Sequence, residues 1–312
     1  IAIGNSSIEK NTCGCWNIAI GSRSLYCNTT ACSNTAVGGC ALHTNSTGAQ
    51  NTASGYKALA SNTTAGNNVA VGTDSLRDTT TGSNNTAVGT YSLKCATTAV
   101  RNAALGYSSQ LLTTANNNTS SGAYSLRYNT TGADHTAVGT YSLYSNTTGD
   151  SNTAAGSCAL RNNTTGCYNN AFGKRALRSN TTGNHNLAIG NDALYGNTTG
   201  NYNTASGYYA LGVGAAGCEN AAFGYKAGMG VNGGKHNTAV GYAALLATGT
   251  KCLNTAIGHK SLTSLTTGCH NTGLGYGSLC NATTACDNDA MGYGALGALT
   301  TGCRNTAVGF AA

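Results

Sequence analysis

Fourteen cysteines are the residues of this 312-residue chain with the clearest chemistry. Eight of them share one phase of a seventeen-residue spacing: Cys15, Cys32, Cys167, Cys218, Cys252, Cys269, Cys286 and Cys303. If the chain winds so that seventeen residues make one coil, thiols in the same phase stack with Cα atoms about 4.8 Å apart, which a disulfide accepts. The spacing therefore predicts disulfide staples between neighbouring coils, Cys15–Cys32, Cys252–Cys269 and Cys286–Cys303.

A second pairing of the same thiols closes turns instead of joining coils. It would link Cys27 to Cys32 and Cys280 to Cys286, so the two schemes exclude each other at Cys32 and Cys286. Buried reduced thiols are a third reading. Zinc is not expected, because Cys13-Gly-Cys15 and Cys269-His270 lack a second ligand pair. So many cysteines without a metal motif are typical of an oxidising, extracellular location.

Asparagine sequons are the next candidate for covalent chemistry. Asn-x-Thr/Ser motifs head the recurrent turns at Asn28, Asn45, Asn62, Asn129, Asn146, Asn163, Asn180 and Asn197. Glycans on these residues would line one edge of the wound chain. The competing interpretation, which we favour, is that asparagine is simply a good turn residue.

The remaining residues give little support for catalysis, cofactors or charged partners. Nine acidic residues are few for a carboxylate site, and three histidines of one phase, His185, His236 and His270, lie at least two repeats apart. We expect no enzyme, metal or cofactor. The net charge of +7 is dispersed, which argues against nucleic acid. The sequence contains no run of about 18 apolar residues, so it predicts no membrane span.

These residues belong to an internal repeat that fixes the fold. A glycine recurs from Gly4 to Gly309 in nineteen copies, each step being seventeen residues except sixteen between Gly106 and Gly122. Taking it as position 0, the consensus is Asn at −4, Ala at −2, Val or Ile at −1, Leu at +4 and Asn-Thr-Thr-Gly at +7 to +10. We predict an all-β fold, a parallel β-solenoid (a β-roll or β-helix) of about nineteen coils, one repeat per coil, as a single continuous array over residues 1–312 that is uncapped at both ends.

Strand alternation assigns the faces of each coil. Asn (−4), Ala (−2) and Gly (0) share one face, which we expect inside, and positions −3 and −1 share the other, which we expect outside; the opposite orientation is the alternative. We expect the turn glycine to take a positive φ. The internal asparagines are predicted to form a hydrogen-bonded ladder: Asn17, Asn34, Asn51, Asn68, Asn85, Asn102, Asn152, Asn237, Asn254 and Asn305.

The segments Asn17–Gly21, Asn68–Gly72 and Asn186–Gly190, of the form Asn-x-Ala-[Val/Ile]-Gly, resemble the head repeats of trimeric autotransporter adhesins. Related repeats occur in viral and phage fibres. The resemblance covers the whole chain and implies a parallel β-roll, three chains packed side by side, and binding to host matrix or surfaces. This repeat is longer than is usual in that family, and it carries more cysteine.

We therefore expect a structural subunit of an extracellular fibre or surface filament, at a cell or virion surface. Its main partner would be itself, as a homo-oligomer or filament, trimeric or end to end. An adhesin head or fibre shaft that binds host glycan or matrix is the alternative. A lesser alternative is an ice-binding solenoid, suggested by recurrent Thr pairs such as Thr29-Thr30 and Thr181-Thr182.

Overall fold

The structure is a computed structural model and describes residues 1–214 and 216–312. Within these two ranges it contains no helix, and its regular elements are nineteen short parallel strands. The chain separates into two compact units, residues 1–152 and 153–312. The predicted parallel β-solenoid with one seventeen-residue repeat per coil is confirmed in both units. That one continuous array runs over residues 1–312 stays a prediction.

The first unit contains nine strands, each of which pairs with the next along the chain. They are β1 Ala2–Ile3, β2 Ile18–Ile20, β3 Thr35–Val37, β4 Thr52–Ser54, β5 Val69–Val71, β6 Thr86–Val88, β7 Ala103–Leu105, β8 Thr119–Ser121 and β9 Thr136–Val138. Their pairing keeps identical repeat positions side by side, as in Ala19 beside Ala36.

The second unit contains ten strands in the same arrangement. They are β10 Thr153–Ala155, β11 Asn170–Phe172, β12 Leu187–Ile189, β13 Thr204–Ser206, β14 Ala221–Phe223, β15 Thr238–Val240, β16 Thr255–Ile257, β17 Thr272–Leu274, β18 Asp289–Met291 and β19 Thr306–Val308.

The short repeat after Gly106 does not disturb the sheet. β7 pairs with β8 with an offset of sixteen, so that Ala104 lies beside Ser120 and identical positions stay in register. The missing residue is absorbed outside the strands, because a register slip of one would turn the outer side chains of β8 inward.

Alanine and leucine fill the narrow interior. Ala36 on β3 and Leu42 on the opposite wall are both fully buried, and the same two positions are buried in nearly every coil. The opposite wall is also joined from coil to coil by backbone hydrogen bonds, such as Leu25 N–H to the Ala41 carbonyl at 2.9 Å. Each coil is therefore bonded to its neighbours along its strand and along its second wall.

The repeated glycine is required for two reasons. At Gly38 the φ is +129°, and a Cβ there would lie 2.6 Å from the carbonyl oxygen of Gly55 in the next coil. Only glycine combines this φ with such an approach.

The expectation that the turn glycine at +10 takes a positive φ is wrong. Positive φ values occur instead at positions −5, +2 and +4, on non-glycine residues such as Ser33, Arg23 and Leu25. The turn glycine is small for another reason: a Cβ on Gly48 would lie 2.1 Å from the Ala65 carbonyl oxygen of the next coil. Packing between coils, and not backbone conformation, selects a small residue there.

Candidate interaction surface

Most strands turn alanine inward and an apolar side chain outward, although position −1 is serine on β4, β8 and β13. Ala at −2 is buried, whereas position −1 is at least partly exposed, so the predicted orientation is confirmed and the opposite one is wrong. We call the exposed −1 side chains the outer column. Its large apolar members are Ile3, Ile20, Val37, Val71, Val88, Leu105 and Val138 in the first unit and Phe172, Ile189, Phe223, Ile257, Met291 and Val308 in the second.

A column of stacked rings flanks the outer column in the second unit. This ring column occupies position +1 on seven consecutive coils: Tyr208, Tyr225, Tyr242, His259, Tyr276, Tyr293 and Phe310. Neighbouring ring centroids lie 4.8–5.4 Å apart, with planes within 13° of parallel. Ring faces are therefore covered by neighbouring rings, and the edges and hydroxyl groups remain open.

A shallow apolar groove lies on the strand face beside this column. Its volume is about 220 Å³, and it is lined by residues of three adjacent strands: Thr272, Leu274, Asp289, Ala290, Met291, Thr306, Ala307 and Val308. Asp289 is the one charged side chain among these lining residues. The face of β17–β19 is thus apolar and nearly uncharged.

The first unit has a less regular tyrosine cluster at positions +1 and +2. Tyr107 meets Tyr124 edge-on, Tyr124 stacks on Tyr141, and the Arg127 guanidinium lies 5.1 Å from the Tyr124 ring centroid. This cluster packs against itself and a cation, which is typical of a stabilising surface contact.

Asparagines at −4 form the internal ladder that holds this surface. The Asn17 Oδ1 accepts the backbone N–H of Asn34 at 2.9 Å, and the Asn34 Nδ2 donates to the Gly48 carbonyl across its own coil. The same bonds link the later members of the predicted set, through Asn51, Asn68, Asn85 and Asn102 in the first unit and Asn237, Asn254 and Asn305 in the second. Each asparagine side chain therefore links its own coil to the next coil and also forms a hydrogen bond across its own coil.

His135 stands where this ladder otherwise has asparagine, and Asn152 is its next member. The ring is buried, and its Nδ1 accepts the Asn152 backbone N–H at 3.1 Å, as an asparagine Oδ1 would. Burial lowers the pKa of His135 below its usual 6.5. The neutral ring fits the ladder because only an unprotonated Nδ1 can accept that hydrogen bond.

Sequon asparagines form a second internal ladder that the sequence analysis missed. All eight are buried, and the Asn45 Nδ2, for example, donates to the Asn28 Oδ1 at 3.2 Å and to the Gly48 carbonyl at 2.9 Å. The Asn62, Asn180 and Asn197 amides repeat this pattern toward the preceding coil. An amide used inside the coil is not offered to a glycan, so the structure favours the turn interpretation of Asn28, Asn45, Asn62, Asn129, Asn146, Asn163, Asn180 and Asn197.

No disulfide is present among the described residues. The Sγ atoms of Cys15 and Cys32 nevertheless lie 2.9 Å apart, and Cys252 and Cys269 are paired through a parallel bridge, as the coil-to-coil scheme requires. The turn-closing scheme would pair Cys280 with Cys286, but the Cys280 Sγ donates to the Gly297 carbonyl of the next coil. None of the predicted pairings is confirmed, and all stay predictions: Cys15–Cys32, Cys252–Cys269 and Cys286–Cys303 between coils, and Cys27–Cys32 and Cys280–Cys286 within turns.

The first threonine of each recurrent pair uses its hydroxyl within the molecule. Thr29 Oγ1 donates to the Ser46 carbonyl of the next coil, and Thr181 Oγ1 donates to the Thr198 carbonyl. The second threonine, such as Thr30 or Thr182, is exposed, and the ice-binding alternative stays a prediction.

Lys251 is a buried cation that the sequence did not reveal. It occupies position +10, where other coils have Gly or Ala, and its Nζ donates to the carbonyls of Leu245 and Ala247. Its side chain is fully buried, and burial lowers its pKa to about 7.

The described part of the chain holds neither a cluster of metal ligands nor a membrane-spanning helix. No three His, Cys, Asp or Glu side chains converge there on one point as metal ligands. Nor does it hold a helix with the length and apolarity needed to cross a bilayer.

Comparisons with known proteins leave the surface as the main guide to function. No protein-family model matches the chain. A search of curated proteins finds no match either.

Proposed function

We propose that the chain is a structural subunit of an extracellular fibre or surface filament, and that it assembles with further copies through the outer column and the ring column. The observation that carries this proposal is the run of apolar, at least partly exposed side chains at position −1 on six consecutive coils of the second unit, from Phe223 to Val308. Contiguous apolar surface of this kind marks an interaction site.

The extent of the surface is sufficient for a stable interface. Six rings of the ring column are between 41% and 81% exposed, and at about 200 Å² each they leave roughly 600 Å² open. The outer column adds the exposed parts of Phe223, Ile257 and Met291 beside them. Stable interfaces bury about 800 Å² on each partner, so the second unit alone reaches that range.

A second copy is the partner that fits best. The strand face carries almost no charge, so it offers little for a charged partner to recognise, whereas another copy offers the same apolar register at the same coil spacing. The resemblance to adhesin heads and viral or phage fibres points the same way, with three chains as the expected number.

Binding to a surface glycan or matrix protein is the second candidate. The open hydroxyl edges of Tyr225, Tyr242 and Tyr276 favour it, since they form a regular row of donors and acceptors. Flat stacking of sugars is disfavoured, because neighbouring rings cover the ring faces. A glycan array with and without Tyr242→Phe tests this role separately from assembly.

The test of assembly introduces lysine either in the outer column or at the exposed position −5. Lysine at Ile189, Phe223 and Ile257 should reduce the purified protein to single chains in sedimentation velocity, because burying three ammonium groups in an apolar contact is costly. The matched control places lysine at Tyr202 and Leu253, exposed residues at position −5, and should keep the wild-type assembly. A wild-type protein that sediments as one chain would contradict the proposal.

A further inference from the structure

One thiol column in the second unit offers chemistry that the fibre role does not use. Cys252, Cys269, Cys286 and Cys303 occupy position −6 on four consecutive coils, and all are at least partly exposed. Lys235 precedes them in the same column, joined to Cys252 by a parallel bridge.

The backbone holds these four residues in register. The Cys252, Cys269 and Cys286 carbonyls each accept the N–H of the residue that follows the next cysteine, at 3.1–3.3 Å. Neighbouring coils of a parallel sheet lie about 4.8 Å apart, so successive cysteine Cα atoms repeat at that distance.

The side chains repeat as regularly as the backbone. Cys269, Cys286 and Cys303 each direct Sγ toward the carbonyl oxygen two residues earlier, at 3.8, 3.7 and 3.7 Å. Side chains that make the same local contact share one rotamer, so their sulfur atoms repeat with the coil spacing. The Cys269 backbone N–H also lies 3.4 Å from the Cys286 Sγ.

This spacing suits a cation that binds two thiolates in line. A metal–sulfur bond is about 2.3 Å long, so two such bonds in line span roughly 4.6 Å, close to the distance between successive coils. A tetrahedral ion needs four converging ligands, which a straight column does not supply. Thiolates select soft cations, copper(I) among them.

We propose that the Cys252–Cys303 thiol column binds soft two-coordinate monovalent cations, of the copper(I) or silver(I) class, in line between thiolates of successive coils. If each sulfur is used once, the column holds two cations: four S–H bonds break, four metal–sulfur bonds form and four protons pass to water, with no change of oxidation state. If the central sulfurs bridge, the same four thiolates hold three cations through six metal–sulfur bonds, and four protons are again released.

The positive charges near the ends of the column agree with this chemistry. Each bis-thiolate complex carries one negative charge, and Lys235 and Arg304 place positive charges near the two ends of the column.

The test uses silver(I) on the full reduced chain under anaerobic conditions, with glutathione in excess to strip isolated thiols. The column variant carries Cys→Ser at residues 252, 269, 286 and 303. The matched control carries Cys→Ser at four isolated thiols, Cys40, Cys95, Cys158 and Cys280. Native mass spectrometry should show that the column variant loses two or three silver ions relative to wild type and that the control loses none.

A second measurement protects the test against a misfolded variant. The single substitution Cys269→Ser leaves Cys286 and Cys303 adjacent, so it should lose at least one silver ion and keep at least one. X-ray absorption at the silver edge should find two sulfur neighbours per ion in the wild type. Equal silver content in wild type and column variant, or equal losses in column and control variants, would overturn the proposal.

Discussion

The Gln110 Nε2 donates to the Ser120 Oγ at 2.8 Å inside the coil that is one residue short. Both residues depart from the repeat: Gln110 replaces the core leucine at +4, and Ser120 replaces the core alanine at −2. Ser109 completes the group at 2.5 Å from the Ser120 Oγ. Two irregularities that look independent in the sequence therefore form one buried polar cluster.

This pair should show strong coupling in stability measurements. Gln110→Leu alone removes a partner of Ser120, whereas Gln110→Leu with Ser120→Ala restores the apolar core and removes the unpaired Gln110 Oε1. We expect the double variant to be about 1–3 kcal/mol more stable than wild type, since that is the cost of a buried unsatisfied group. Urea denaturation of wild type, the two single variants and the double variant measures this coupling. Strictly additive effects of the two substitutions would refute the pairing.

His135 predicts a loss of stability in mild acid. Burial lowers its folded-state pKa below the unfolded value of 6.5, so the unfolded chain binds the proton more readily. The stability this group contributes is complete above pH 6.5 and decreases as pH falls from 6.5 through the lowered pKa. His135→Asn restores the ladder residue, and its free energy of unfolding should fall less between pH 7 and pH 5 than that of wild type. Parallel curves for the two proteins would contradict this.

Lys251 predicts that the free energy of unfolding also depends on pH above neutrality. Its folded pKa of about 7 lies below the ordinary 10.5, so wild type gains stability as pH rises from 7 toward 10.5, by up to about 1.4 kcal/mol per pH unit. In Lys251→Met this gain should disappear, and the variant should be more stable than wild type at pH 7. The control is Lys260→Met at an exposed lysine, which should keep the wild-type slope.

Gly38 tests the close approach of successive coils. In Gly38→Ala a Cβ would lie 2.6 Å from the Gly55 carbonyl oxygen at a φ of +129°, and both features oppose alanine. We expect a loss of more than about 2 kcal/mol, on the scale of backbone strain combined with overpacking. Gly277→Ala has open space around its Cβ and should cost about 1 kcal/mol. Thermal melts that rank the two variants in the reverse order would contradict this packing.

The sequon ladder predicts a protein without N-glycans. Thr182→Ala removes the sequon at Asn180 while keeping its buried amide, so the mass of protein secreted by a glycosylating host should change only by the substitution. Asn180→Ala should instead destabilise by about 1–3 kcal/mol, because the neighbouring Asn197 amide loses one of its two acceptors and keeps only the Gly200 carbonyl. Glycan mass at Asn180 in the wild type would contradict this assignment.

The repeat made most of the coil predictable. Strict positions such as Asn34 and Ala36 repeat because each is surrounded by copies of itself, so strand register, the inner face and the exposed outer column follow from periodicity alone. The variable position −5, which holds Trp16, Arg101 and Glu219, faces solvent, which explains why it accepts such different side chains.

Other features left no such signal. The left-handed backbone at Leu25 is imposed by coil closure and by burial of the side chain, so leucine appears where local preference would favour glycine or asparagine. The second asparagine ladder was hidden because Asn-Thr-Thr-Gly also reads as an ordinary turn. Lys251 is a single departure from the repeat, so no sequence pattern predicts its burial. Only the surrounding carbonyls explain how its ammonium is accommodated.

Photocrosslinking from the outer column tests the central claim most directly. A benzophenone amino acid at Phe223 should, on irradiation, join two or more chains, with the attachment mapped to the outer or ring column of another copy. The same group at Tyr202, on a different edge of the coil, should yield single chains. Cross-links of equal yield from both positions, or none between chains at Phe223, would contradict assembly through this face.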